Sequence, residues 1–218
     1  MPKLVDHDAR RAEIARATWT AVRDVGIERL RLRDIADEVG FTTGVFAHYF
    51  RDKGSVLRYA FNLAYQHAHE QILQSNESVD SGLMRLRNAL VALIPDPKQP
   101  ESVAFVSMCF GIRNISDPLL TADYRKKRNA YGRLLKSCIR DAISEGEILV
   151  DTPPNEIIDL VFAVLDGVCI AALLNPDGYS KKRGSRIVDT MIERLSGGRA
   201  NAAETETTGR KKTKGGTP

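Results

Sequence analysis

Between residues 40 and 50 the chain reads GFTTGVFAHYF, preceded by LRLRDIADEV (30–39) and followed by RDKGSVL (51–57). Ile35 and Val39 stand four residues apart, as do Phe46 and Phe50, so each pair falls on one face of a helix. Helices this short do not persist alone in water. They persist when they clamp each other and a longer helix, and Ala36 is small enough to let the two cross closely. Gly40 supplies the sharp turn between them, and the Thr42 hydroxyl is positioned to cap the second. The layout is that of a helix-turn-helix.

With Phe46 and Phe50 turned inward, the outer side of the second short helix, Thr43–Tyr49, carries Gly44, Val45 and His48, flanked by Thr43 and Ala47. Apart from His48 these side chains are small. Such a face can enter a major groove deeply, where a threonine hydroxyl meets base edges and methyl groups meet the thymine methyl. Arg33, Thr43, Gly44, Val45 and His48 are the expected base-edge set. Arg31, Thr42, Tyr49 and Lys53 surround it as expected phosphate contacts, Lys53 beside the free N–H groups that open the next helix.

Bulk charge does not decide the partner. The 218 residues sum to +4, but residues 196–218 alone hold +3, which leaves +1 for the rest. A DNA reading therefore rests on where particular side chains sit. With 43% hydrophobic and 28% charged content, the chain reads as globular, and charge interrupts residues 1–24 too often for a signal sequence. A cytoplasmic protein is expected. The most apolar stretch, residues 157–174, contains Asp159 and Asp166, each costing about 2.5 to 3.5 kcal/mol near a bilayer centre, so it is expected as a buried helix with no membrane partner. Cys109, Cys138 and Cys169 are widely spaced and form no CxxC motif. No nucleophile–base constellation, glycine-rich phosphate loop or cluster of metal ligands occurs, and neither enzyme, metal nor cofactor is expected. The other reading of a helix-turn-helix, a non-regulatory DNA-binding protein or an enzyme of DNA transactions, would bring mixed α/β patterns.

Helical periodicity runs nearly throughout, with no competing strand pattern. The expected fold is all-α, with about nine helices at residues 8–25, 32–39, 43–49, 53–74, 79–93, 102–114, 118–144, 153–174 and 180–195. Residues 1–60 form a helix-turn-helix DNA-binding domain and 61–195 an effector-binding and dimerisation domain. Residues 196–218 are a basic tail too poor in apolar residues to order. Ile157, Leu160/Val161, Val164/Leu165, Val168 and Ala171/Ala172 make an apolar face too large for one small core. Ile187, Met191 and Leu195 offer a matching stripe, so a four-helix bundle across a two-fold axis is expected.

The segment RDIADEVGFTTGVFAHYFRDKGSVL (33–57) resembles the DNA-binding signature of the TetR-type repressors, and the resemblance covers residues 8–60. The later DGVCIAALLNPDGYSKKRGSRIVDTMIERL (166–195) is similar, more loosely, to the effector domain of the choline-responsive BetI-like subset, whose recognition helix also ends in a His-Tyr-Phe run. The resemblance implies a homodimer that grips a palindromic DNA operator and releases it when a small molecule binds the larger domain. Two positions depart from the family pattern: Arg31 replaces a capping Thr or Ser, and Ala47 replaces a phosphate-contacting Tyr. Phe105, Met108, Phe110, Phe162 and Ile170 are expected to line the effector cavity, with Tyr65, Arg113 or Asp166 as polar anchors. A carboxylate such as Asp166 requires a partner, a solvated cavity or an interface. A quaternary ammonium ligand needs an aromatic cage, and the single tryptophan, Trp19, belongs to the DNA-binding body. A small, mainly apolar effector is therefore expected.

Overall fold

Asp6 opens the first helix by accepting from the N–H groups of Asp8 and Ala9 at 3.1 and 3.0 Å. In the computed structural model, residues 6–96, 106, 118–175 and 177–197 are described. Among them the secondary structure is helical throughout: α1 (His7–Val25), α2 (Leu32–Glu38), α3 (Thr43–Tyr49), α4 (Lys53–Ser75), α5 (Gly82–Leu93), α6 (Pro118–Ser144), α7 (Pro154–Leu174) and α8 (Lys181–Leu195). The helix expected at 102–114 lies outside the described residues except for Val106, which is helical and buried. The expected tail lies outside them from residue 198 onward.

Ends follow their caps. Gly26 (φ 80°), Gly40 (φ 69°) and Gly146 (φ 71°) take left-handed backbone just past α1, α2 and α6, a conformation that costs glycine no Cβ clash. Thr42 Oγ1 accepts from Val45 N–H at 3.3 Å. Asp52 Oδ1 accepts from Ser55 N–H at 2.7 Å while Ser55 Oγ accepts from Asp52 N–H at 3.2 Å, a reciprocal box that starts α4. One start differs from expectation by a residue: α7 opens on Pro154, with Pro153 in the capping position and no side-chain cap.

α1 lies on α4, α2 on α1 and α3, and α4 passes on to α5. Trp19, buried on α1, donates from Nε1 to the Ala60 carbonyl on α4 at 3.3 Å. Ile14, Ile35, Ala36, Phe46 and Val56 are all at or below 1% exposure, which fixes α2 and α3 against the longer helices. Burying apolar side chains like these is worth about 1.5 to 3 kcal/mol each; the two short helices draw their stability from it.

In the larger body α5 is the hub, packed on α4, α6 and α8. Its first residue, Gly82, approaches α6 so closely that an added Cβ would lie 2.4 Å from Ala142 N and 2.8 Å from the Cys138 carbonyl. The turn after α6 folds back to cap α5: Glu145 accepts from Gly82 N–H at 2.9 Å and Glu147 from Leu83 N–H at 2.8 Å. Arg85 reaches Asp141 on α6 at 2.8 Å, and Arg87 reaches Asp189 on α8 at 2.6 Å. Cys138 and Cys169 are buried and reduced; burial raises both thiols, Cys169 to about 12.

Candidate nucleic-acid interface and effector body

α3 stands with Phe46 inward at 1% exposure, its ring 5.9 Å from that of Phe50. Thr42, Thr43, Gly44, Val45, Ala47 and His48 are all exposed, and an added Cβ at Gly44 would meet nothing closer than the Thr42 hydroxyl at 3.9 Å. The expected base-reading face is thus open along the whole helix. Tyr49, half-buried, closes its end.

The two arginines beside that face are held by acids of their own helix. Arg31 pairs with Asp34 at 3.3 Å, and Asp34 also accepts from the Arg31 N–H at 2.7 Å. This backbone bond and the guanidinium bring the Asp34 carboxyl below its usual value. Asp34 thus starts α2 from its third position, which is how the helix opens without the usual Thr or Ser. Arg33 pairs with Asp37 at 3.5 Å across one turn. Both arginine side chains remain more than three-quarters exposed, so either can exchange its weak surface pair for a phosphate.

Lys53 sits differently. Its Nζ donates to the Ile27 carbonyl at 2.5 Å and the Glu28 carbonyl at 3.2 Å, fastening α4 to the loop between α1 and α2. Burial lowers its pKa. Two of its three N–H donors are therefore spent inside the protein.

Sequence reasoning missed His7. It lies at the start of α1 with its ring 6.0 Å from His48 and 5.8 Å from Tyr49, so the first turn of α1 braces the end of α3. Only the distance in sequence hid it.

In the larger body the expected effector residues separate. Phe105, Met108, Phe110 and Arg113 lie outside the described residues. Tyr65 lines a cavity of 510 Å³ between α4 and α6, together with Asn62, Gln66, His69, Lys127, Ala130, Tyr131 and Leu134. Tyr131 donates to the Tyr65 carbonyl at 3.2 Å, with the two rings 5.3 Å apart. Asp166, Phe162 and Ile170 do not line that cavity. Asp166 accepts both guanidinium nitrogens of Arg128 at 3.1 and 2.8 Å, and Arg128 lies 4.2 Å over the Phe162 ring. The requirement for a partner is met inside the chain, by Arg128 of α6. Lys127 and Tyr131 stand four residues apart, so both fall on the cavity face of α6.

Most of the expected interface set is buried within the single chain. Ile157, Val161, Val168, Ala172, Met191 and Leu195 are at most 8% exposed within one chain, because α7 and α8 turn that face onto the chain's own core. Val164 is half-buried and Ile187 is 41% exposed. Among the described side chains, the apolar residues α7 leaves open are Leu160, Ala163, Ile170, Ala171 and Leu174, with Gly167 among them.

An open recognition helix, braced by longer helices and joined through α4 to a helical body with a cavity, defines a one-component DNA-binding regulator. Residues 14–60 match the family model for bacterial regulatory proteins of the tetR family, and residues 83–197 match that for the BetI-type transcriptional repressor C-terminal domain. The chain belongs to the TetR family of transcriptional regulators and is not an enzyme. It is 26% identical over 202 residues to the HTH-type transcriptional regulator PksA of Bacillus subtilis, covering 89% of this chain and 94% of that one. It is also 26% identical over 194 residues to BetI of Escherichia coli K12, covering 88% and 96%. A transcriptional regulator from Saccharomonospora viridis, crystallised with choline, shares the fold at TM-score 0.76 and 19% identity, over 85% of this chain and 96% of that one. Among the described residues no helix is long and apolar enough to cross a membrane.

Proposed function

We propose that this chain is a cytoplasmic repressor that binds a palindromic operator as a homodimer and leaves it when a small molecule fills the body. The observation that carries this reading is the pairing of an open, small-residue face on α3 with a cavity that α4 itself lines. Residues 1–60 act as the DNA-binding head and 61–195 as the effector and dimerisation body, with α4 shared between them.

On the operator, Arg33, Thr43, Gly44, Val45 and His48 meet base edges, and Arg31, Thr42 and Tyr49 meet phosphates. Lys53 serves mainly as the clamp on the α1–α2 loop, with its remaining N–H and its charge directed to the backbone. The second copy docks on the open stripe of α7, Leu160, Ala163, Val164, Gly167, Ile170 and Leu174, beside Ile187 of α8. Small residues there let two α7 helices approach closely.

Coupling follows the contacts. A ligand seated against Tyr65 and Tyr131 wedges between α4 and α6. Tilting α4 moves Lys53, and with it the loop that leads into α2. Such a ligand shifts the equilibrium only by its difference in affinity for the two tilts. The effector is small and mainly apolar. The experiment is fluorescence anisotropy of a labelled operator with the full chain, titrated with small organic molecules: the reading requires sequence-specific binding that some of them reverse. A ligand that binds the body and leaves operator affinity untouched contradicts the coupling.

A further inference from the structure

The walls of the α4–α6 cavity differ in kind. Tyr65, Tyr131, Ala130 and Leu134 present apolar and aromatic surface, while Asn62, Gln66, His69 and Lys127 supply the polar atoms. At 510 Å³ the space falls within the range of small-molecule sites, about 300 to 1,000 Å³.

Charge separates the ligand classes. Among the described residues Lys127 is the one lysine or arginine in the lining, and no Asp or Glu lines the cavity. Glu70 is joined to the wall through Gln66 Nε2 at 3.0 Å but lies outside it, and it has no ion pair with Lys127 among the described residues. The Lys127 ammonium rests 5.9 Å from the centre of the Tyr65 ring. A quaternary ammonium would need that same aromatic face and would meet the Lys127 charge there. Lys127 thus already shares the Tyr65 face, and its remaining donors have no acidic partner among the described residues.

We infer that this cavity takes an aromatic carboxylate, its ring against Tyr65 and Tyr131 and its carboxylate on Lys127. The carboxylate completes a charge-assisted hydrogen bond, and the planar body replaces water on the apolar wall. The inference rests on the reading of this body as the effector domain, and names the chemistry of that effector. Next to Lys127 in sequence, Arg128 ties α6 to α7 through Asp166, so a pull on this turn of α6 is transmitted to the helix proposed to meet the second copy.

The test is calorimetric titration of the full chain with 2-naphthoate, its neutral amide, and choline. Naphthoate is expected to bind at least about tenfold more tightly than the amide, the worth of one hydrogen bond to a charged group, and choline more weakly than either. Lys127→Met should remove the preference for the acid over the amide, and Lys127→Arg should restore it, both variants melting as the parent does. Absence of naphthoate binding, tighter binding of choline, or an undiminished acid preference in Lys127→Met would each overturn the inference. Anisotropy on the labelled operator separates the two levels. Naphthoate that binds without releasing DNA upholds the site and contradicts the effector reading; release by choline alone overturns the site and leaves the repressor reading standing.

Discussion

Lys53 carries the sharpest question at the scale of single residues. From sequence it is a phosphate contact, and from structure it is a clamp on two carbonyls. The two roles predict different data. A phosphate contact would lower the slope of log affinity against log salt by about 0.9 on removal. As a clamp, Lys53→Met lowers the unfolding midpoint and weakens operator binding while moving the slope by clearly less. Salt-dependent anisotropy beside thermal melting reads both, and a full unit of slope with an unchanged melt would return Lys53 to the phosphates. Thr43→Ala is expected to lose about 1 to 3 kcal/mol of discrimination at one position of each half-site, with non-specific binding intact. Equal losses on specific and random DNA would remove Thr43 from the base-edge set.

Among whole elements, α5 is the one whose sequence most understates its role. Its start was expected at residue 79 because nothing in the local pattern reveals that Glu145 and Glu147 cap it from more than sixty residues away. Gly82→Ala is expected to destabilise the chain by about 1 to 3 kcal/mol, since the contact it meets is α6 backbone rather than a mobile side chain; an unchanged denaturation midpoint would refute that close approach. Helix starts also set the acid limit. Asp34, Asp52 and Glu147 are each held below their usual values, chiefly by backbone hydrogen bonds at Asp34 and Asp52 and by the Ser81 hydroxyl at Glu147. A carboxyl whose folded pKa is depressed contributes stability that is present above its unfolded value, near 4, and lost as pH falls through its folded one. Melting temperature should therefore fall below about pH 4, and less steeply in Asp52→Asn than in the parent. The elements α1 to α4 were legible because the Thr42 cap and the apolar pairs are local. What stayed hidden was long-range: the brace of His7 on α3, and the grip of Lys53 on a loop twenty-five residues earlier.

For the molecule as a whole, sequence periodicity identified α7 and α8 as apolar but could not say which apolar face one chain consumes. The stripe through Ile157, Val161 and Val168 goes to the chain's own core, and the face left over runs through Leu160, Gly167 and Leu174. That face predicts the assembly. An added Cβ at Gly167 meets nothing within 4 Å in the chain itself, so Gly167→Arg should fold normally, sediment as a monomer and bind operator far more weakly; a dimer that survives this change would place the interface elsewhere. The exposed face of α3 is expected to read a two-fold symmetric DNA sequence. Selection of bound fragments from a random DNA pool by the full chain measures it most directly. A pseudo-palindrome whose half-sites lie about one helical turn or more apart should be enriched, with the enriched sequence lost in Val45→Glu. A pool that stays random, or one enriched identically by Val45→Glu, would contradict it.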